Sequence, residues 1–111
     1  MTDAPIDTAV FDALAETTGA EFAAELVTTF LDEAPGMITD LKTAAAQQTP
    51  DPFRRAAHSI KSNAEVFGAH LLAALARDLE LSGLPASGEQ LAALDQAYVD
   101  VAATLREMID G

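Results

Sequence analysis

The 111-residue chain contains no cysteine and no tryptophan, and aromatic residues make up only 5% of it. The absence of cysteine excludes disulfide bonds, cysteine-ligated zinc sites and thiol catalysis. Valine and isoleucine are sparse, and no segment alternates polar and apolar residues, which argues against β-sheet. No apolar run approaches the roughly 20 residues of a membrane-spanning helix, and no signal peptide is recognisable. We therefore expect a cytoplasmic protein.

Positive charge is also scarce. Six Lys and Arg residues stand against 18 Asp and Glu residues, which gives a formal net charge of −12. Such a surface repels nucleic acid and anionic membranes, so neither is expected as a partner. Half of the residues are hydrophobic, and most of these are Ala and Leu, which are strong helix formers. The composition predicts a single all-α domain that spans residues 1–111.

Glycine and proline residues divide the chain into helical segments with short connections. Asp7 is a candidate N-cap for a short first helix, and a second helix is predicted to begin near Gly19. Pro35 interrupts the second helical pattern, which resumes after it. Either one long helix kinks at Pro35 or two helices meet there, and we favour the single kinked helix.

The third helix has the clearest start signal. Asp51 is predicted as its N-cap and Pro52 as its first helical residue, because proline suits the first position of a helix. The helix is predicted to run to about Phe67 and to be ended by Gly68.

Two further helices complete the pattern. The fourth is predicted from Ala69 to about Ser82, and a loop follows over residues 83–88. The last helix, with Ser87 as a candidate N-cap, keeps helical spacing to the end of the chain. These segments together predict an antiparallel four-helix bundle with an additional short N-terminal helix.

Periodicity divides the third helix into two faces. The apolar face is predicted to enter the core and consists of Phe53, Ala57, Ile60, Ala64 and Phe67. The opposite face consists of His58, Lys61, Ser62 and Glu65, so the imidazole is predicted to project outward. Three of the six cations, Arg54, Arg55 and Lys61, lie within four residues of His58. This cluster favours a bound anion or an acidic partner, although solubilising charges would explain the spacing equally well.

The segment from Ala57 to Ala69 resembles the phosphorylation motif of histidine-containing phosphotransfer (HPt) domains. That motif reads histidine, any residue, Leu or Ile, lysine, a small residue, a small polar residue and then a spacer to Gly-Ala. Leu72, Leu75, Leu79 and Glu80 are similar to the family's next helix, and residues 30–35 with Leu41 are similar to its long second helix. One departure is Ser62, which stands where glycine is commonest.

The resemblance implies a phosphoryl carrier without a kinase or ATP site of its own, and it leaves open whether such a carrier is an enzyme. His58 would be the phosphorylated nucleophile, and Lys61 would stabilise phosphoryl oxygens. Ser62 would permit close approach and could hydrogen-bond the phosphoryl group. The expected partners are receiver domains of response regulators and hybrid histidine kinases. No cofactor or metal is expected on this chain, since the receiver would supply Mg²⁺, and we expect a monomer.

The remaining candidate residues have lesser roles. Arg54, Arg55 and Glu65 are predicted to contact the partner, and Glu65 is also predicted to pair with Lys61 or an arginine. Gly68 is assigned a structural role, and His70 is interpreted as an ordinary, partly exposed side chain.

Three alternatives stay open. A di-iron bundle would need Glu-x-x-His pairs, but Arg55 and Phe67 stand three residues before the two histidines. An HPt-like docking module that does not transfer phosphate is a second alternative. A purely structural bundle is the third.

Overall fold

The computed structural model describes residues 5–110, and every regular element in that range is an α-helix. The helices are α1 (Thr8–Thr18), α2 (Ala20–Gln47), α3 (Pro50–Val66), α4 (His70–Ser82) and α5 (Gly88–Asp110). The predicted all-α, antiparallel four-helix bundle with an extra N-terminal helix is confirmed. None of the helices described is both long and apolar enough to cross a membrane.

Helices α2, α3, α4 and α5 form a four-helix bundle with an approximately square cross-section. Helix α3 packs between α2 and α4, and α5 closes the square by packing against α4 and α2. Among the described residues no Cα atoms of the diagonal pair α3 and α5 lie within 8 Å of each other. The side of α3 that faces away from its neighbours is on the surface. Helix α1 lies outside the square, against α2 and α3.

Helix α2 continues through Pro35 without interruption, which confirms the single helix favoured from the sequence. Proline has no amide hydrogen to donate within the helix, so one backbone carbonyl in the preceding turn loses its usual partner. Pro35 and Gly36 are both exposed. Water can therefore satisfy the free carbonyl, and the helix tolerates proline at this position.

The predicted start of α3 is wrong by two residues. The N-cap is Thr49 rather than Asp51, and Pro50 rather than Pro52 is the first helical residue. The Phe53 amide donates to the Thr49 carbonyl, which is the first hydrogen bond of the helix. Pro52 is accommodated because the first turn of a helix has no internal acceptor for its amides.

Gly68 ends α3 and also packs against α1. The amides of Gly68 and Ala69 donate to the carbonyls of Glu65 and Ala64, the pattern of a Schellman cap, with Gly68 at φ +72°. The Gly68 carbonyl accepts from the Asp7 amide at 2.8 Å. A Cβ atom on Gly68 would lie 2.8 Å from Cβ of Val10. The predicted structural role of Gly68 thus has two physical grounds, positive φ and close approach of α1.

The core is built mainly from alanine and aliphatic side chains. All five residues predicted for the apolar face of α3 are at most 2% exposed. The Phe30 ring packs against Phe67 and Tyr98, with ring centroids 5.3 and 6.0 Å away. Buried alanines on α2 to α5 let the helix backbones approach closely, and this close packing fixes the position of α3.

Two predicted N-caps are confirmed. The Asp7 carboxylate accepts from the Ala9 amide at the start of α1. At the start of α5, the Ser87 hydroxyl accepts from the Gln90 amide while the Gln90 side chain accepts from the Ser87 amide. This reciprocal arrangement is a capping box, and it fixes the chain after the loop at residues 83–87.

Candidate functional site

His58 lies near the middle of α3 on the exposed side of the bundle. Its side chain is 56% exposed, whereas the flanking Ala57 and Ile60 are buried. The two buried neighbours anchor this turn of the helix to the core. The imidazole is therefore presented to solvent from a rigid backbone, as the helical periodicity predicted.

Glu80 on α4 reaches across to His58. Its Oε2 atom lies 3.0 Å from Nδ1 of His58. An ionised carboxylate can only accept, so Nδ1 must carry the hydrogen that is donated to it. In the neutral imidazole the other nitrogen, Nε2, then holds the free lone pair. The contact thus orients the ring and leaves Nε2 as the nitrogen with a free lone pair.

Lys61 joins the same carboxylate. Its Nζ lies 3.5 Å from Oε1 of Glu80, and both side chains are 24% exposed. Among the described residues Oε1 of Glu80 is buried without a hydrogen-bond partner. The ion pair with Lys61 is therefore a long charge contact rather than a hydrogen bond.

The other predicted residues surround this cluster without joining it. Ser62 is exposed one turn from His58. Arg54 pairs with Asp51 at 2.6 Å. Within residues 5–110 neither Arg55 nor Glu65 forms an ion pair. The expected pairing of Glu65 with Lys61 is wrong, because Lys61 pairs with Glu80 of the neighbouring helix α4 instead.

The second histidine has a different environment. Nε2 of His70 lies 2.9 Å from Oδ2 of Asp7, and the His70 side chain is 67% exposed. The hydrogen bond from His70 holds the pKa of Asp7 below its ordinary value, and backbone hydrogen bonds from Ala9 and Val10 act in the same direction. His70 therefore links α1 to the start of α4.

The sequence pattern assigned no function to two residues of α4, Glu80 and Arg77. Glu80 was noted only as part of a helix that resembles the family, and Arg77 was not singled out at all. The signal that could have found Glu80 is register. Helices α3 and α4 are antiparallel and joined by residues 67–69, so positions at similar distances from that connection face each other. Position 58 lies nine residues before 67 and position 80 lies eleven residues after 69.

The part of the chain that the structure describes contains no group of three His, Asp or Glu residues arranged to hold a metal ion. The carboxylate of Glu80 instead contacts both the imidazole of His58 and the ammonium group of Lys61. This arrangement suits a nitrogen nucleophile that receives an anionic group, because the carboxylate supports positive charge on the ring and the lysine can bind the anion.

The fold and this cluster define a class of protein, a helical bundle that displays a carboxylate-held histidine on the exposed side of a central helix. A family model for the Hpt domain matches residues 25–110. The chain belongs to the Hpt domain family, whose members carry out histidine phosphotransfer in phosphorelays.

Solved structures show the same fold. Histidine-containing phosphotransfer protein B (HptB) from Pseudomonas aeruginosa PAO1 superposes with a TM-score of 0.90 at 22% identity, over 98% of this chain and 97% of that one. The HPT domain of a sensor hybrid histidine kinase from Shewanella gives 0.79 at 14% identity, over 96% of this chain and 94% of that one. Among curated proteins no sequence matches significantly.

Proposed function

We propose that the protein is a phosphorelay carrier that accepts a phosphoryl group on Nε2 of His58 from a receiver-domain aspartyl phosphate and passes it to another receiver aspartate. The observation that carries the proposal is the exposed imidazole whose Nδ1 is 3.0 Å from the Glu80 carboxylate. Membership of the Hpt domain family supports it.

The chemistry requires little from this chain beyond a positioned nucleophile. The Nε2 lone pair attacks phosphorus, a nitrogen–phosphorus bond forms, and the bond to the aspartate oxygen breaks with its electrons leaving on the carboxylate. The phosphorylated ring keeps its Nδ1 hydrogen and becomes cationic, and Glu80 stabilises that charge. Transfer to the next aspartate reverses these steps.

Neighbouring residues would assist without forming bonds to phosphorus. Lys61 moves from Glu80 to the phosphoryl oxygens. Ser62 has a small side chain that lets the receiver approach closely, and its hydroxyl donates a hydrogen bond to the phosphoryl group. Arg54, Arg55 and Glu65 contact the receiver around the histidine. Mg²⁺ belongs to the receiver, and this chain acts as a cytoplasmic monomer with one domain.

The decisive experiment follows labelled phosphate from a panel of phosphorylated receiver domains, and separately from phosphoramidate, onto the protein. Wild type is expected to acquire an acid-labile, base-stable label. His58→Gln is expected to abolish it, whereas the matched variant His70→Gln keeps it. Loss of label only in His70→Gln would refute the assignment of His58. Receiver binding with no label in any variant would identify a docking module that does not transfer phosphate.

A further inference from the structure

A shallow groove runs between α3 and α4, directly beside the His58 cluster. Its volume is about 380 Å³, and it is lined by Lys61, Glu65, His70, Ala73, Ala74 and Arg77. Ala73 is only 7% exposed and forms part of the floor. The two alanines leave room for a partner's backbone to approach the helices. Lys61 belongs both to the groove and to the His58 cluster, so an occupant of the groove would lie beside the transferred phosphoryl group.

The charges of the groove differ from those of the molecule as a whole. Of its six lining residues three, Lys61, His70 and Arg77, carry basic side chains and one, Glu65, is acidic, in a protein with a net charge of −12. Lys61 already pairs with Glu80, and His70 already pairs with Asp7. Arg77 is the least engaged: its side chain is 60% exposed, and its only ion pair in the described range is a 3.8 Å contact with the adjacent Asp78.

Most of the other Lys and Arg residues are not available to pair with an acidic group bound in this groove. Lys42 is paired with Asp95, and Arg54 is paired with Asp51. Arg106 lies on α5, the helix diagonally opposite α3. Arg55 forms no ion pair in the described range, but it lines a different cleft, between α2 and α3. An acidic partner is therefore repelled by most of the surface and attracted to the basic side chains of α3 and α4.

Arg77 is also well placed along α4. It lies one turn before Glu80, the residue that holds the imidazole. It faces the same groove as Lys61 on α3. A carboxylate paired with Arg77 would thus lie on the side of the His58 cluster where Lys61 lines the groove.

From these observations we propose that the α3–α4 groove seats a carboxylate-bearing loop of the phosphate-exchanging partner, with Arg77 as its main charged contact. This proposal rests on the proposed function and adds to it the side from which the partner approaches. The partner's backbone packs on Ala73 and Ala74 while its carboxylate pairs with Arg77. Among the described residues Arg77 forms no hydrogen bond or ion pair with His58 or Glu80, so it affects docking rather than the chemistry of His58.

The test compares Arg77→Glu with Arg106→Glu, which changes the net charge equally on a helix remote from α3. For a receiver that labels or binds the wild type, Arg77→Glu is expected to weaken binding and slow transfer by roughly tenfold, with a flatter dependence on salt. Arg106→Glu is expected to leave both nearly unchanged. Phosphoramidate labelling of His58 is expected to be the same in all three proteins, because a small donor needs no docking.

A second variant, Ala74→Tyr, fills the groove without changing charge and is expected to slow receiver transfer while sparing phosphoramidate labelling. Equal losses in Arg77→Glu and Arg106→Glu would show an effect of net charge alone and overturn the proposal. Unchanged receiver binding in both groove variants would also overturn it. Calorimetric binding gives this answer even if His58 is never labelled, so failure of the groove and failure of the carrier function are distinguishable.

Discussion

Nδ1 of His58 and Oε2 of Glu80 lie 3.0 Å apart, although 22 residues of sequence separate them. This contact joins the middle of α3 to the last turns of α4 and leaves the imidazole only one free nitrogen. It therefore determines both the direction in which the ring points and the nitrogen that keeps a free lone pair.

Glu80→Gln is expected to slow labelling of His58 by roughly tenfold or more, because an amide does not fix the ring tautomer or support its positive charge as a carboxylate does. Phosphorus NMR of the labelled protein should also show a mixture of the two phosphohistidine isomers instead of the Nε2 isomer alone. Glu89→Gln, which removes the same charge at the start of α5, is the matched control. An unchanged rate with a single isomer in Glu80→Gln would contradict the positioning role.

Lys61→Ala is expected to slow phosphorylation of His58 by roughly tenfold with both receiver and small-molecule donors, since the lost ammonium group would have stabilised phosphoryl oxygens in either reaction. Single-turnover labelling rates measure this effect. Lys42→Ala, which removes a lysine paired with Asp95, is expected to have no effect on labelling. If Lys61→Ala slowed only the receiver reaction, the lysine would be a docking residue.

Gly68→Ala is expected to destabilise the fold by about 1–3 kcal/mol, through left-handed backbone strain and the contact of the new Cβ with Val10 and the Asp7 carbonyl. Urea denaturation measures the free energy of unfolding. The control is Gly36→Ala, where a Cβ atom would meet nothing within 4 Å. That variant lies inside α2 and is expected to gain about 0.5–1 kcal/mol from better helix propensity. Similar stability changes in the two variants would contradict the docking of α1 on Gly68.

The lowered pKa of Asp7 predicts that part of the folding stability is lost in acid. The pKa of Asp7 in the folded protein is lowered from its ordinary value of 3.8, first by the His70 hydrogen bond. The ionised form is therefore favoured by folding, and its contribution is present above the ordinary pKa and lost as pH falls below it. The stability difference between wild type and Asp7→Asn is expected to shrink as the pH falls from about 5 to about 3. In a His70→Gln background the shrinkage should be smaller, and an equal pH dependence in both backgrounds would contradict the His70 contribution.

Local patterns in the sequence predict local structure well in this protein. The spacing of Phe53, Ala57 and Ile60 identified the buried face of α3, and Ser87 identified the start of α5. The start of α3 was misplaced because residues 50–52 contain two prolines and an aspartate, each of which is suited to a helix terminus. Only the carbonyl of Thr49, which accepts the first helical hydrogen bond, distinguishes between them.

Relations between helices were harder to predict. The periodicity of α4 shows that Glu80 and Arg77 are polar positions, but not that one faces His58 and the other faces the groove. The pairing of Lys61 was wrongly assigned to Glu65 because both lie on one helix, one turn apart. The competing carboxylate comes from another helix, and helical spacing contains no information about it.

The antiparallel pairing of α3 with α4 has a further consequence for how the site forms. His58, Lys61 and Glu80 belong to one helical hairpin, closed by residues 67–69. The entropy lost in bringing them together is that of a short loop, whereas contacts between α2 and α5 close a much longer one. Proteins dominated by such local contacts fold quickly. The exposed histidine and the residues that hold it can therefore assemble early in folding, before the rest of the bundle closes around them.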